Sequence, residues 1–293
     1  MFVRDCSAPD DCSSQGCRQL SRHSTKTSVG QSDPFAASSG GYERKDSLSI
    51  VRPNGTVLAA IPVYIRTICS GRTSMQSTLM FHGIGIPGHP MEPGEENYWI
   101  NWDQFDAIVD YCAKLPPDEV NFTFDDGNQS DLEAARRMRA QGVDGSFFVL
   151  VGRLGAPGYL TEAEVGELLD LGMEVGLHGR NHIDWRKADD ATLNSEIDRA
   201  AEELGELCGR PVEAVAIPYG HYDRRVWTYL ERSPFRRIHT SDRGRSRPVD
   251  RFVRREPVMR WHDIADVVEL IAGKASPAKR LRQAVMPRLK RLA

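Results

Sequence analysis

Between residues 77 and 272, short β-rich apolar runs alternate with stretches whose apolar residues recur every three or four positions. Leu79–Phe81, Val120–Phe124, Ser146–Val151, Met173–Leu177, Ala214–Ile217 and Arg237–Thr240 read as strands, with Phe252–Arg254 as one more. Phe105, Ile108, Val109 and Cys112 predict a helix over Trp102–Lys114. Ser130-x-x-Glu133 and Thr161-x-x-Glu164 read as capping boxes. The first opens a helix ending near Gly142, and the second opens one carrying Val165, Leu168 and Leu169. Leu193, Ile197, Ala200, Leu204 and Leu207 predict one long helix, and Arg224–Glu231 and Asp263–Ala272 two more.

Repeated β-then-α units imply parallel strands joined by helical crossovers. Six or seven units in about 200 residues suit an α/β fold of the TIM-like (β/α) barrel type, complete or incomplete. A doubly wound open sheet is the competing architecture. Either arrangement puts chemistry at the C-terminal ends of the strands.

The flanks differ from this pattern. Residues 1–46 are rich in Ser, Thr, Gly and Asp and poor in large apolar side chains, so a disordered polar tail is expected. Residues 47–76 fit either a strand pair around the Pro53-Asn54-Gly55 turn or an accessory extension. The barrel domain is placed at 77–272, and 273–293 form a basic C-terminal helix or tail. From Lys274 to Ala293 there are seven Lys or Arg and no acid, with Leu281, Val285, Leu289 and Leu292 at helical spacing. A solvated terminal helix and a weak membrane-surface contact both fit that pattern.

The 293 residues are 40% hydrophobic and 27% charged, as in an ordinary globular protein. The net charge of −3 removes nucleic acid from the expected partners. No run of about 18 apolar residues occurs, so no transmembrane helix is predicted. The N-terminus lacks a basic-then-apolar secretory pattern, which makes the cytoplasm the expected location. The six cysteines, at 6, 12, 17, 69, 112 and 208, form no CxxC pair, and free thiols are expected.

Three clusters at strand ends carry chemistry. In Thr123-Phe124-Asp125-Asp126-Gly127, two adjacent carboxylates point to different sides, so one can bind a metal while the other moves a proton. Asp-Asp-Gly is also an ordinary turn. In His178-Gly179-Arg180-Asn181-His182, two imidazoles four apart can reach one cation from a helical turn or a curled loop. Two unrelated surface histidines would look the same, but this pair follows a strand at the same end of the sheet as the aspartates. Pro218-Tyr219-Gly220 offers a rigid wall, an aromatic face for a sugar ring, and a backbone N–H for an oxyanion, although by itself a plain turn would account for it.

Together these clusters resemble the polysaccharide deacetylase family, also called the NodB-homology or carbohydrate esterase 4 family. Phe122-Thr123-Phe124-Asp125-Asp126-Gly127 is similar to its first motif, His178-x-x-x-His182 to its second and Pro218-Tyr219-Gly220 to the end of its third. Phe81-His82-Gly83 is similar to a Tyr-His element of one branch. The resemblance covers about Leu79 to Met259, and its specificity lies in the ordered set. It implies a metal-dependent hydrolase that removes N-acetyl groups from a sugar or polysaccharide. Asp126, His178 and His182 would hold a divalent metal, usually zinc, and Asp125 would be the general base. The Tyr219 N–H would help the metal stabilise the oxyanion.

Two departures stand out. Ala216 occupies the place of the Arg that opens the family's third motif, and Arg254 or Arg255 could supply that charge from later in the chain. The fifth motif, Leu-x-His, is not found; His82, His239 and His262 are candidates to line the site. A carbohydrate-binding protein with weak or no catalysis is therefore the alternative reading. Two His and one carboxylate also occur in non-haem iron oxygenases, but usually on double-stranded β-helices and with a His-x-Asp pair.

Overall fold

The structure, a computed structural model, describes residues 75–274 and 276–293. The predicted tail, and all of the 47–76 extension but its last two residues, lie outside them.

Eight strands form one sheet in the order β7-β6-β5-β4-β3-β2-β1-β8, and every pairing is parallel. The strands are β1 Ser77–Phe81, β2 Val120–Phe124, β3 Gly145–Val149, β4 Glu174–Leu177, β5 Ala214–Ala216, β6 Arg237–Thr240, β7 Phe252–Arg254 and β8 Glu256–Pro257. One residue, Arg255, separates β7 from β8. β7 pairs with β6 on one edge of the sheet and β8 pairs with β1 on the other. A single extended segment therefore changes partners part-way and brings the two edges together. The result is a nearly closed (β/α) barrel, not the doubly wound open sheet.

The crossovers are α1 Trp102–Cys112, α2 Ser130–Ala140, α3 Glu162–Asp170, the composite α4 Asp190–Asn194 and α5 Ala200–Cys208, and α6 Arg224–Arg232. α7 Ile264–Ile271 and α8 Pro277–Leu292 follow β8. Between α4 and α5 the predicted long helix runs through a π-helical turn, Ser195–Arg199. Thr161 and Glu164 form the predicted capping box. Ser130 and Glu133 do not. The Ser130 hydroxyl accepts instead from the Ile84 N–H, and Glu133 pairs with Arg137 one turn on. A tertiary partner has displaced the local one. Among the described residues no helix is long and apolar enough to cross a membrane.

Strand alternation sorts the core into two parts. Phe81, Phe124 and Phe147 are in register on β1, β2 and β3, with stacked centroids 5.2 and 4.4 Å apart, and Phe105 of α1 meets Phe81 edge-on at 5.7 Å. These rings belong to the layer between barrel and helices. The next residue, Phe148, points the other way and packs against Ala214 and Ala216. Gly176 gives it room: a Cβ there would lie 2.5 Å from the Phe148 ring and 3.0 Å from the Ala214 carbonyl oxygen.

Gly176→Ala should therefore cost about 1–3 kcal/mol through overpacking. Combining it with Phe148→Leu should recover part of that loss. A double-mutant cycle in urea measures the coupling, and a neutral Gly176→Ala would show that the interior is loosely filled.

Candidate active site and metal centre

β2 and β4 end in the two polar clusters. Past β2 the chain turns sharply: Asp126 and Gly127 both adopt left-handed backbone, with φ of 77° and 70°. Past β4, Gly179 and His182 do so at 91° and 55°. Left-handed geometry is uncommon for Asp and His and is held only where surrounding contacts enforce it. Here it aims both side chains at one point.

Asp126, His178 and His182 offer ligand atoms that all lie within 4.8 Å of one another. Asp126 Oδ1 is 3.5 Å from Nε2 of each histidine. Bonds of about 2.0–2.1 Å in tetrahedral array would place donor atoms roughly 3.4 Å apart. Asp126 Oδ1 is buried and has no hydrogen-bond partner. Burial, reinforced by the Asp125 and Glu95 carboxylates, pushes Asp126 up to about 6. His178 Nδ1 lies 3.0 Å from the Ala216 carbonyl oxygen and donates to it, which leaves Nε2 facing Asp126. Burial pushes His178 down to about 3 and lowers His182 as well, so both rings are neutral donors. An unpaired buried carboxylate oxygen and two neutral imidazoles fit a divalent cation.

Asp125 sits beside this group, 3.9 Å from His178 Nε2. Arg255 grips it through two parallel hydrogen bonds, Nη1 to Oδ1 at 2.6 Å and Nη2 to Oδ2 at 2.9 Å. Arg255 is completely buried and also donates to the Thr240 carbonyl. Burial alone would raise the Asp125 carboxyl. The Arg255 charge, the His178 ring and the Arg255 hydrogen bonds outweigh it and hold Asp125 well below the usual carboxylate range. The small Ala216 side chain shares the interior with Phe148, and the Arg255 guanidinium lies 5.7 Å from that ring. The positive charge that Ala216 does not supply thus reaches Asp125 from the seam strand.

The other candidates separate. His82 and Tyr219 line a cavity of about 510 Å3 together with Asp125, Asp126, His178 and His182. Tyr219, with φ of 55°, lays its ring 4.2 Å from that of His182 and donates to Glu92 and to the His182 carbonyl. Pro218 and Gly220 are buried and hold the turn from behind; a Cβ on Gly220 would strike Ser241 at 2.4 Å. His239 is not in the cavity. It is buried 4.8 Å from the Phe148 ring, and its charged form is suppressed by burial and Arg255. His262 also lies elsewhere, its Nδ1 accepting from the Met259 N–H.

Sequence reasoning missed the supports of the His178–His182 loop. Glu196, buried in the π-helical turn, accepts from the N–H groups of Arg180 and Asn181 and from the Asn181 side chain, at 3.0, 3.1 and 2.9 Å. Glu92 stands 3.6 Å from His182 Nδ1 and pairs with Arg153 at 3.0 Å. Asp131, in the first turn of α2, is fully buried with neither carboxylate oxygen bonded. Burial and the charges of Asp126 and Asp125 raise it well above the usual range.

Residues 113–238 match the family model described as polysaccharide deacetylase. Over these residues the chain is similar to the polysaccharide deacetylases. Among solved structures, a polysaccharide deacetylase from Bacillus cereus is similar at 20% identity over 68% of this chain and 69% of that one, with a TM-score of 0.59. The deacetylase PplD of Streptococcus pyogenes, solved with acetate, is 20% identical over 68% of this chain and 98% of its own, also at 0.59. IcaB of Ammonifex degensii is 21% identical over 68% and 96%, at 0.55. At these identities the likeness is one of fold. No curated protein matches at the sequence level.

Arg255→Met should destabilise the fold by about 3–5 kcal/mol in urea, because it leaves Asp125 buried and unpaired. Adding Asp125→Asn should restore much of that loss, whereas simple additivity would mean that the pair is not coupled.

Asp126 also sets a pH dependence. Its pKa in the fold, about 6, lies above the ordinary 3.8, so the metal-free fold loses stability as pH rises through that window. A cation needs the ionised carboxylate and competes with the proton below it. The rise in Tm on adding zinc should accordingly be larger at about pH 7.5 than at about pH 5. Equal shifts at both values would remove Asp126 from the ligand set.

Proposed function

We propose that this protein hydrolyses the N-acetyl group of a sugar or polysaccharide, with a divalent metal, zinc by preference, and with Asp125 as the base. The observation that carries this reading is the placement of Asp125, locked by Arg255, against the Asp126–His178–His182 group in one cavity. Two imidazoles and one carboxylate with room for further ligands is the donor set of a catalytic zinc site.

Bound there, such a metal would polarise the acetyl carbonyl and lower the pKa of a water molecule. Asp125 takes the proton of the attacking water. Both its oxygens accept from Arg255, yet each keeps a lone pair. Arg255 lowers the basicity of Asp125 but fixes its orientation and keeps it ionised. The Tyr219 N–H, carried on a left-handed residue at the cavity wall, is the donor we assign to charge developing on the acyl oxygen. His82 lines the cavity with a buried Nδ1 that has no partner, and we assign it the protonation of the leaving amine. The products are acetate and the free amino sugar. Cys112 and Cys208 are free thiols, and a reducing compartment such as the cytoplasm suits them.

Acetate release from a panel of N-acetylated sugars and oligosaccharides, with metal content measured on the same samples, tests the reading. Asp126→Ala should lose metal and turnover together. Asp125→Asn should keep its metal while kcat falls by about 10²–10⁴-fold. Zinc lost from Asp125→Asn but retained by Asp126→Ala would reverse the two roles. Saturable sugar binding without acetate release would favour the carbohydrate-binding alternative.

A further inference from the structure

Helix α8 packs against the barrel with its polar side. Gln283 donates to Glu256 at 3.3 Å, and Lys290 reaches both the Gly220 carbonyl at 3.1 Å and Asp242 at 2.9 Å. The Arg291 guanidinium lies 3.6 Å from the centre of the Trp227 ring, and Pro287 is buried between these contacts. The usual arrangement of a surface helix is the reverse, with its apolar stripe inward. Here that stripe is turned away: Leu281 is 67% exposed, Val285 38%, Leu289 52% and Leu292 77%. At 3.6 residues per turn these four residues share one face, and Arg282 and Arg288 fall on its two borders. Both arginines are exposed, and among the described residues no carboxylate is paired with either. A contiguous exposed apolar stripe calls for a partner.

We propose that α8 is a docking face for an anionic lipid surface. Charge complementarity selects that occupant. The last twenty residues carry seven basic side chains and no acid, although the chain as a whole is slightly negative. An apolar stripe bordered by arginines is the form of a helix lying in the plane of a membrane interface. The position also has a consequence for access. A groove lined by Arg282, Gln283, Met286 and Lys290 of α8 shares Ser241 and Arg243 with the active-site cavity. Docking through α8 would hold the cavity beside the surface, where carbohydrate attached to or made at that surface would meet it. The docking itself does not depend on the deacetylase reading.

The test is co-sedimentation of the full chain with phosphatidylcholine vesicles, with and without phosphatidylglycerol. The full chain should bind the anionic vesicles, leave the neutral ones in solution and be released by salt. Leu281→Gln/Leu289→Gln should weaken binding roughly tenfold or more, since two buried apolar side chains are lost. Arg282→Gln/Arg288→Gln should flatten the salt dependence. Thermal unfolding and acetate release from a soluble substrate should be unchanged in both, because all four side chains are exposed and none of them lines the active-site cavity. Binding that is equal for neutral vesicles, or untouched by the leucine substitutions, would overturn the proposal. So would failure to bind combined with a concentration-dependent dimer that the leucine substitutions abolish, which would give the face to a second copy of the chain.

Discussion

The barrel and the site meet in one interaction, the buried fork between Arg255 and Asp125. Arg255 is the residue at which the seam strand changes partners, and Asp125 is the first residue past β2. A guanidinium placed so deep would be strongly unfavourable alone. It is tolerated because both carboxylate oxygens and the Thr240 carbonyl take up three of its five N–H donors. Closure of the sheet and the ionisation of the proposed base therefore depend on the same contact. Asp126, one residue on, has no such partner and is pushed the other way. Two neighbouring carboxylates are thus set apart by environment alone, one held ionised and one with a buried oxygen left unpaired.

Much of this was legible in the sequence. Period-two and period-3.6 patterns place β2, β6 and β7 at their observed bounds and most helices within two residues, because their apolar faces are continuous. The carboxylate pair and the two histidines stand out because they directly follow strands. What the sequence hides is contact between distant segments. Arg255 looks like any residue of an Arg-rich stretch until the seam strand is seen to pass beneath Asp125. Glu196 is one of several acids on a helix and is distinguished only by the π-helical turn that rotates it inward. Ser130 shows the opposite failure, a sound local signal overridden by the Ile84 N–H. His239 and His262 were chemically reasonable candidates whose positions only the closed barrel decides.

The site is also built in layers of differing rigidity. His178 hangs from the Ala216 carbonyl at the end of a neighbouring strand, and the loop behind it is tied to Glu196. His182, by contrast, leans on Tyr219 and Glu92, which lie on two surface loops. The first histidine is placed by the sheet and the second by side chains at the rim. A molecule entering at that rim would disturb His182 before His178.

The seam strand has a consequence for how this chain can change over time. The turn from Arg247 to Asp250, closed by hydrogen bonds between its own ends, can lengthen or shorten with little effect on the barrel, since loop closure costs grow slowly with length. A single residue inserted or removed within Phe252–Pro257 is different in kind. Side chains alternate across a strand, so such a slip would turn Arg255 out of the interior and put a neighbour there. The segment works as a key cut to one register, and insertions that diversify this protein are confined to the lengths of chain on either side of it.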